Sequence, residues 1–446
     1  MKDRIISDYL SLIFETKAEC AEWFGYYNYD TLNTEHTKML CNRSQSEKPA
    51  IKRGDTIELG YYEIPFGIWH HIDYSDSWNW QQGAMLQWLP SENGSETKVI
   101  YNCSRNNHLI SRIHDIETDE TIDIDWPIYG ITPDGKKSIT LDLERSYWCR
   151  AYHYQSVENK DKDGRIIDGD GIFEIDLENN RRKLIIDIND IVNLKPDENF
   201  NEMKHWVEHI MINPDGTRFC FLHRYSPINN IRQYKTRVCL ANIDGSELQV
   251  LPGWNMYSWS HFAWQGSNKF AIYTYKRPII CNNYISNKQN EKIKNYNPQI
   301  ILKHILTIIK KIVPQKIIKQ IQHNNSFYQQ YIFNEAGKCV LNDQWINTNL
   351  NIDGHPSFTF DEKYMLTDSY PNDLKYRRYI IYNIENKKSL ILAKMLENSR
   401  HGNVACDLHP KLSRDNQYVV FDTTSSGKHS MVLFQINWNL LKNIII

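Results

Sequence analysis

Four histidines occupy one position of a repeated pattern in this 446-residue chain. Each stands six residues before the aspartate, or its equivalent, of a turn between two short apolar stretches: His209, His261, His355 and His409. Imidazole groups bind zinc and manganese, and they transfer protons near neutral pH. A single histidine at such a position can instead simply bond a neighbouring strand. Because four share the position, we predict a histidine-rich site with metal or acid–base chemistry.

The element that positions these histidines is a repeated β-hairpin. In the copy HIMINPDGTRFCFLHR, Pro214 presets φ in the turn and Gly216 accepts a positive φ. Seven copies are found, at residues 29–43, 85–102, 128–143, 209–224, 261–275, 355–370 and 409–423. Most copies are followed by two further strands, as in 376–395. Residues 1–446 are therefore predicted to form a single all-β domain, a seven-bladed β-propeller of four-stranded antiparallel blades.

The innermost strands of a propeller line its central channel, so the histidines of blades 4 to 7 are predicted to meet at the channel mouth. In blades 1 to 3 the same position holds Tyr29, Met85 and Ile128, with Tyr129 beside the last. Further candidate metal ligands lie next to the histidines in sequence: His205, Asp353, Cys406 and Asp407. Other polar residues end the second strands of their hairpins: His223, Arg224, Arg145, Tyr154 and His108.

An insertion is predicted within blade 5, at residues 277–329. Its segment 297–322 has helical periodicity, with isoleucines on one face and lysines on another, and Pro314 is expected to divide it into two helices. A basic amphipathic helix of this kind can lie in an anionic membrane interface. Alternatively, its apolar face packs on the propeller or on a partner chain.

The composition excludes several classes of protein. Hydrophobic residues make up 41% and charged residues 24% of the chain, as in a folded globular protein. The formal net charge of −2 gives no support to a nucleic-acid partner. The nine cysteines include no CxxC pair, and we find no secretory signal and no long apolar span. We expect a cytoplasmic protein with reduced thiols. Peripheral contact to the inner face of the membrane through 297–322 is one of the two alternatives for the insertion.

Three segments resemble a known group of proteins: KHWVEHIMINPDGTRFCFLHRY, DGHPSFTFDEKYMLTDSYPND and CDLHPKLSRDNQYVVFDT. They are similar to a bacterial group of seven-bladed, TolB-like propellers related to the oligogalacturonate lyases and the propeller-type ulvan lyases. The likeness covers most of blades 3 to 7, and WFGYYNYD and WQQGAMLQW extend it weakly through blades 1 and 2. It implies β-elimination on a uronic-acid-containing polysaccharide by a carbon–oxygen lyase.

In the oligogalacturonate lyases a metal is held by histidines that start inner strands. His355 and His409 match that arrangement best, and His261 and Cys406 are further candidate ligands of a zinc or manganese ion. The PDG turn is partly lost in blades 5 to 7, and the insertion at 277–329 has no counterpart in the group. These departures leave the identity of the sugar open.

Elimination at a uronic acid needs the carboxylate neutralised, a base and an acid. The base and acid vary among the related lyases, so the resemblance does not assign them. As a hypothesis, the channel mouth supplies Arg224 or Arg145 for the carboxylate of an acidic oligo- or polysaccharide, and His209, His223 or Tyr154 for proton transfer.

Two other functions fit the sequence. The chain can be a non-catalytic propeller that binds a glycan or a protein partner, in which case the histidines are structural. It can also be a membrane-associated component of cell-surface polysaccharide assembly, a reading motivated by the basic helix of the insertion.

Overall fold

The computed structural model describes residues 3–17, 19–47, 51–91, 94, 96–149, 164–196, 200–276, 326–398 and 406–445. These residues form seven antiparallel sheets, one for each predicted blade, and the seven-bladed β-propeller is confirmed.

The chain begins with two strands that join the last two blades: β1 Arg4–Ile6 and β2 Leu10–Glu15. Blade 1 follows with β3 Ala21–Trp23, β4 Lys38–Ser44, β5 Ile57–Glu63 and β6 Ile68–Ser75. Blade 2 consists of β7 Gln87–Trp88, β8 Lys98–Arg105, β9 His108–Asp115 and β10 Thr121–Ile124. Blade 3 consists of β11 Gly130–Ile131, β12 Lys137–Leu141, the helix α1 Leu143–Cys149, β13 Gly171–Asp176, β14 Arg181–Asp187 and the helix α2 Ile188–Asn193.

The remaining blades repeat the pattern. Blade 4 consists of β15 Met203–Ile212, β16 Arg218–Pro227, β17 Lys235–Asn242 and β18 Gln249–Val250. Blade 5 consists of β19 Tyr257–Gln265, β20 Lys269–Lys276, β21 Ser326–Phe333 and β22 Cys339–Trp345. Blade 6 contains β23 Ser357–Phe358, β24 Tyr364–Asp368, β25 Tyr376–Asn383 and β26 Ser389–Leu396. Blade 7 contains β27 Lys411–Leu412, β28 Tyr418–Thr423 and β29 Ser430–Ile436, and the helix α3 Trp438–Ile445 follows it.

The ring is closed by the first residues of the chain. Strand β2 pairs antiparallel with β29, and so supplies the fourth and outermost strand of blade 7. Strand β1 pairs with β26 and gives blade 6 a fifth strand. The hairpin repeat did not predict these two strands, because their partners lie about 390 to 430 residues further along the chain.

Blade 1 departs from the predicted pattern at its innermost strand. The repeat places the start of this strand at Tyr29, whereas the structure begins it at Ala21, where β3 pairs with the end of β4. The backbone then leaves the sheet and returns to it at the bridge between Leu32 and Met39. Residues 24–31 thus form an excursion within an inner strand, which we call the mouth loop.

The predicted insertion falls between β20 and β21. Residues 277–325, including the predicted helical segment 297–322, lie outside the described residues. Residues 326–329 belong to β21 and therefore to blade 5 itself. Among the described helices, none has the length and hydropathy needed to cross a membrane.

The closing role of β2 can be tested with two leucines of the same strand. Leu10 is 6% exposed and belongs to the apolar core of blades 6 and 7, whereas Leu12 is 55% exposed. We expect Leu10→Ala to lower the free energy of unfolding by about 2–4 kcal/mol and Leu12→Ala to change it by less than about 0.5 kcal/mol. Urea unfolding followed by tryptophan fluorescence measures both. Equal effects would contradict the docking of β2 in blade 7.

Candidate metal centre

Two of the four histidines lie in β-bulges of inner strands. In β15, His209 and Ile210 lie opposite the single residue Phe221, and in β19 Ser260 and His261 lie opposite Tyr273. Side chains along a regular strand alternate between the two faces of the sheet, and a bulge interrupts this alternation and changes the direction of a side chain. His209 also has a φ of 55°, and His409 one of 44°, in the left-handed region that residues other than glycine seldom adopt. Such local strain is often found at functional sites.

His355 precedes the short inner strand of blade 6 and is fixed by one carboxylate. Its backbone N–H donates to Oδ1 of Asp368 at 2.6 Å, and its ring Nδ1 lies 2.9 Å from the same oxygen. Burial disfavours the imidazolium, but Asp368 outweighs burial and raises the pKa of His355. Because Nδ1 donates to the carboxylate, the other ring nitrogen, Nε2, is directed elsewhere. It is buried and has no hydrogen-bond partner among the described residues.

His409 is fixed in the same tautomer by a backbone carbonyl. Its Nδ1 lies 2.9 Å from the carbonyl oxygen of Gly25 in the mouth loop, and since a carbonyl can only accept, Nδ1 carries the proton. Burial, and then the neighbouring His355, lower the pKa of His409 to about 3. The ring is therefore neutral near pH 7, with a free lone pair on Nε2. This nitrogen too is buried and has no hydrogen-bond partner in the described part of the chain.

A carboxylate completes the group. Asp407 is buried, and its Oδ1 lies 2.7 Å from the guanidinium of Arg377. Burial opposes ionisation of Asp407, but Arg377 and the neighbouring His355, His409 and His261 together outweigh it and lower the pKa of the carboxyl to about 2. Ligand atoms of His355, His409 and Asp407 all lie within 4.8 Å of one another. One divalent ion, with bonds of about 2.0–2.2 Å to nitrogen and oxygen, can contact all three after small side-chain adjustments.

These residues fit a metal by their chemistry as well as by their spacing. Two imidazoles whose Nδ1 atoms are occupied by hydrogen bonds, together with one ionised carboxylate, are a donor set that suits zinc and manganese. The raised pKa of His355 favours a proton on its ring, which a bound ion would displace from Nε2. Protein metal sites typically fix each ligand histidine through a hydrogen bond from its other ring nitrogen. Asp368 and Gly25 accept those bonds here.

The other two predicted ligands lie beside this group and do not belong to it. The His261 ring is 4.0 Å from the His355 ring, centroid to centroid, and its Nδ1 lies 3.1 Å from Oδ1 of Asp353. Cys406 is buried, and burial raises the pKa of its thiol well above the ordinary value. The residue next to it, Asp407, is the one whose side chain joins the two histidines.

Two tyrosines of the mouth loop pack on the histidines. The Tyr26 ring stacks on His209 at 5.3 Å and meets the His409 ring edge-on at 5.0 Å. The Tyr27 ring lies 5.0 Å from His355, and its hydroxyl donates to the carbonyl oxygen of Phe262 in blade 5. The sequence analysis did not identify Tyr26 and Tyr27 as site residues. Their signal is the run GYYNYD, which occurs where a regular inner strand was expected.

A second polar cluster surrounds His209, which Tyr26 contacts together with the metal ligands. His209 Nε2 is 3.6 Å from the carboxylate of Glu208, and that carboxylate is 3.0 Å from the guanidinium of Arg224. The Tyr129 hydroxyl lies 3.4 Å from Nδ1 of His209 and accepts a hydrogen bond from Gln82. His209 and Arg224 are thus brought together as predicted site residues, with Arg224 already paired to a carboxylate.

Two predicted site residues have partners other than the four histidines of the inner strands, and a third lies outside the described residues. Nε2 of His223 lies 3.0 Å from Nδ1 of His205, and its Nδ1 accepts from Arg237. The guanidinium of Arg145 donates to backbone carbonyls, including that of His205 at 3.1 Å. Tyr154 lies outside the described residues. The buried side chains of His223 and Arg145 therefore have structural partners within the protein.

Comparisons with known proteins agree with the fold. No protein-family model matches the sequence, and the search of curated proteins finds no match. An oligogalacturonate lyase in complex with manganese is 13% identical and has a TM-score of 0.59, over 99% of this chain and 100% of that one. The oligogalacturonate lyase from Vibrio parahaemolyticus is 13% identical, with a TM-score of 0.55 over 97% and 98%. At this identity the likeness shows a shared seven-bladed fold.

The placement of His223 predicts a pH dependence of stability. Burial and Arg237 lower the pKa of His223 well below its ordinary value, and burial lowers that of His205 to about 4. Between about pH 6.5 and pH 4 the unfolded chain therefore binds protons that the folded chain does not, so the free energy of unfolding falls as pH falls. His223→Gln should reduce this slope by up to about 1.4 kcal/mol per pH unit. Urea unfolding at pH 7, 6 and 5 measures the slope. An unchanged slope would contradict a neutral, buried His223.

Proposed function

We propose that this chain is a polysaccharide lyase-like enzyme that performs β-elimination on a uronic-acid-containing glycan. A divalent ion, manganese or zinc, would be held by His355, His409 and Asp407. The observation that carries the proposal is the convergence of these three side chains, with both imidazoles fixed by hydrogen bonds at Nδ1. The shared fold with an oligogalacturonate lyase solved with manganese supports a lyase-like propeller at the level of the fold.

The chemistry of elimination explains why such a centre is useful. The proton on the carbon beside a uronate carboxylate becomes acidic only when the negative charge of that carboxylate is neutralised. A bound divalent ion supplies that positive charge. Arg377 keeps Asp407 ionised in the buried site, and Asp368 and Gly25 hold the two imidazoles in orientation.

Among the residues considered for proton transfer, His209 is the best supported. Its ring lies against Tyr26, whose ring also contacts His355 and His409. The carboxylate of Glu208 lies near its Nε2 and the hydroxyl of Tyr129 near its Nδ1, so the imidazole can exchange a proton with either neighbour. Arg224 pairs with Glu208, and this ion pair balances the charge of the cluster. Arg224 would have to exchange that partner to contact a substrate carboxylate.

A non-catalytic propeller that binds a glycan or a partner protein is the second candidate function. The depth of the site favours it, since His355 and His409 are only 1% and 2% exposed and the mouth loop packs on them. An ion held there would then fasten the mouth loop to blades 6 and 7. Bound metal without elimination on any uronate polysaccharide would favour this function.

The metal site is tested by removing one ligand at a time. We expect His355→Ala and His409→Ala each to weaken metal affinity by at least about 100-fold and to abolish elimination, because each removes a directly coordinating nitrogen. Metal content is measured by mass spectrometry of the untagged protein, and elimination by the ultraviolet absorbance of unsaturated products. His223→Gln is the control and should keep both. Activity that survives the loss of metal would rule out the proposed centre.

The proton-transfer role is tested at His209. His209→Gln should keep the bound metal and lower kcat by about 10²–10⁴-fold, because only the transferable proton is lost. The acidic or basic limb of the pH–rate profile that His209 contributes should disappear as well. Loss of metal in this variant would instead make His209 part of the metal centre, and unchanged kcat would exclude it from the reaction.

A further inference from the structure

One position of the repeat carries an amide or a carboxyl in four of the seven blades. The fifth residue of the second strand is Asn42 in blade 1, Asn102 in blade 2, Asp368 in blade 6 and Asp422 in blade 7. All four side chains are buried, and each holds backbone groups next to an end of an inner strand. The position is therefore used repeatedly to fix the backbone near the mouth of the channel.

In blade 6 this position orients a metal ligand directly. Asp368 accepts both the backbone N–H and the ring Nδ1–H of His355. In blade 7 the equivalent residue, Asp422, does not contact the ring of His409. Its Oδ1 instead accepts the backbone N–H of Phe24 at 3.1 Å.

The bonds of Asp422 continue through the mouth loop to His409. Gly25, the residue after Phe24, presents the carbonyl oxygen that accepts the Nδ1–H of His409 at 2.9 Å. The backbone N–H of Asp422 also donates to the carbonyl oxygen of Leu408, the residue before His409. Asp422 thus contacts the segments on both sides of that hydrogen bond.

The backbone of the mouth loop around the Gly25 carbonyl is restricted by further contacts. The amide of Asn42 donates to the carbonyl oxygens of Trp23 and Phe24, at 3.1 and 3.0 Å. Gly25 has a φ of 121°, and a Cβ there would lie 2.8 Å from the carbonyl oxygen of Gln82. Only glycine fits this position, and its peptide orientation depends on the groups that bond to it.

We infer that Asp422 is a positioning residue of the metal centre. Through Phe24 and Gly25 it fixes His409 in the tautomer that leaves Nε2 free, as Asp368 does directly for His355. This inference rests on the proposed metal site, because the free Nε2 matters to function only if it binds an ion. It adds a residue of blade 7 that touches neither the ion nor the substrate.

The test is a titration of the full-length, metal-free chain with Mn²⁺. We expect Asp422→Ala to weaken Mn²⁺ affinity by about 10–100-fold, because removal of an orienting partner typically has this effect. Asp422→Ser, a second variant that keeps a polar group in the buried position, should weaken it to the same extent. Asp422→Asn keeps an accepting oxygen and should stay within about threefold of the unaltered protein. Asn102→Ala is the matched control, because it removes equivalent buried bonds in blade 2, to Ile128, and should leave affinity unchanged.

A second readout follows the imidazole itself. The ¹⁵N shifts of His409, assigned with His409→Gln, should report a proton on Nδ1 in the metal-free protein and a mixture of tautomers in Asp422→Ser. Unchanged affinity in both Asp422→Ala and Asp422→Ser, or an equal loss in Asn102→Ala, would overturn the inference while leaving the metal site intact. If the unaltered chain binds no Mn²⁺, the proposed function fails, and an unchanged His409 tautomer in Asp422→Ser would then overturn the inference independently.

Discussion

The Nδ1 atoms of His355 and His409 both donate to oxygen atoms, and the candidate site depends on these two hydrogen bonds. One acceptor is the carboxylate of Asp368 and the other is the backbone carbonyl of Gly25. Because these bonds occupy both Nδ1 atoms, the two Nε2 atoms remain for a ligand, and both are buried without a hydrogen-bond partner among the described residues. Ligand atoms of both histidines lie close to those of Asp407. A buried polar atom without a partner costs free energy. The arrangement is therefore expected to be kept for a ligand that completes it.

Closure of the ring brings the parts of this site together. His355 comes from blade 6, His409 and Asp407 lie at the entry to blade 7, and Gly25 belongs to blade 1. Strands β1 and β2 attach the start of the chain to blades 6 and 7, immediately before the mouth loop begins. The same pairing that removes a free sheet edge therefore also sets the position of the carbonyl that orients His409. Stability and site geometry are linked through the first 25 residues.

Local patterns predicted the fold and the four histidines, since turn chemistry and strand alternation are properties of neighbouring residues. They failed where the partner is distant in sequence. His223 and Arg224 were both predicted to be site residues. His223 is instead buried and has a structural role, because it is hydrogen-bonded to Arg237 on the adjacent strand and to His205 on the inner strand. The aspartates that orient the ligands were visible in principle, because YMLTD and YVVFD place Asp368 and Asp422 at one repeat position. The role of the mouth loop could not be predicted from the sequence, because it depends on contacts with blades 4 to 7.

The most direct test of the preformed centre is anomalous diffraction from crystals of the chain loaded with Mn²⁺. We expect one anomalous peak bonded to Nε2 of both His355 and His409 and to a carboxylate oxygen of Asp407, at about 2.0–2.2 Å. The bonds from Nδ1 of the two histidines to Asp368 and Gly25 should be unchanged. A peak at another group of residues, coordination through Nδ1, or the absence of any peak at saturating Mn²⁺ would contradict the account.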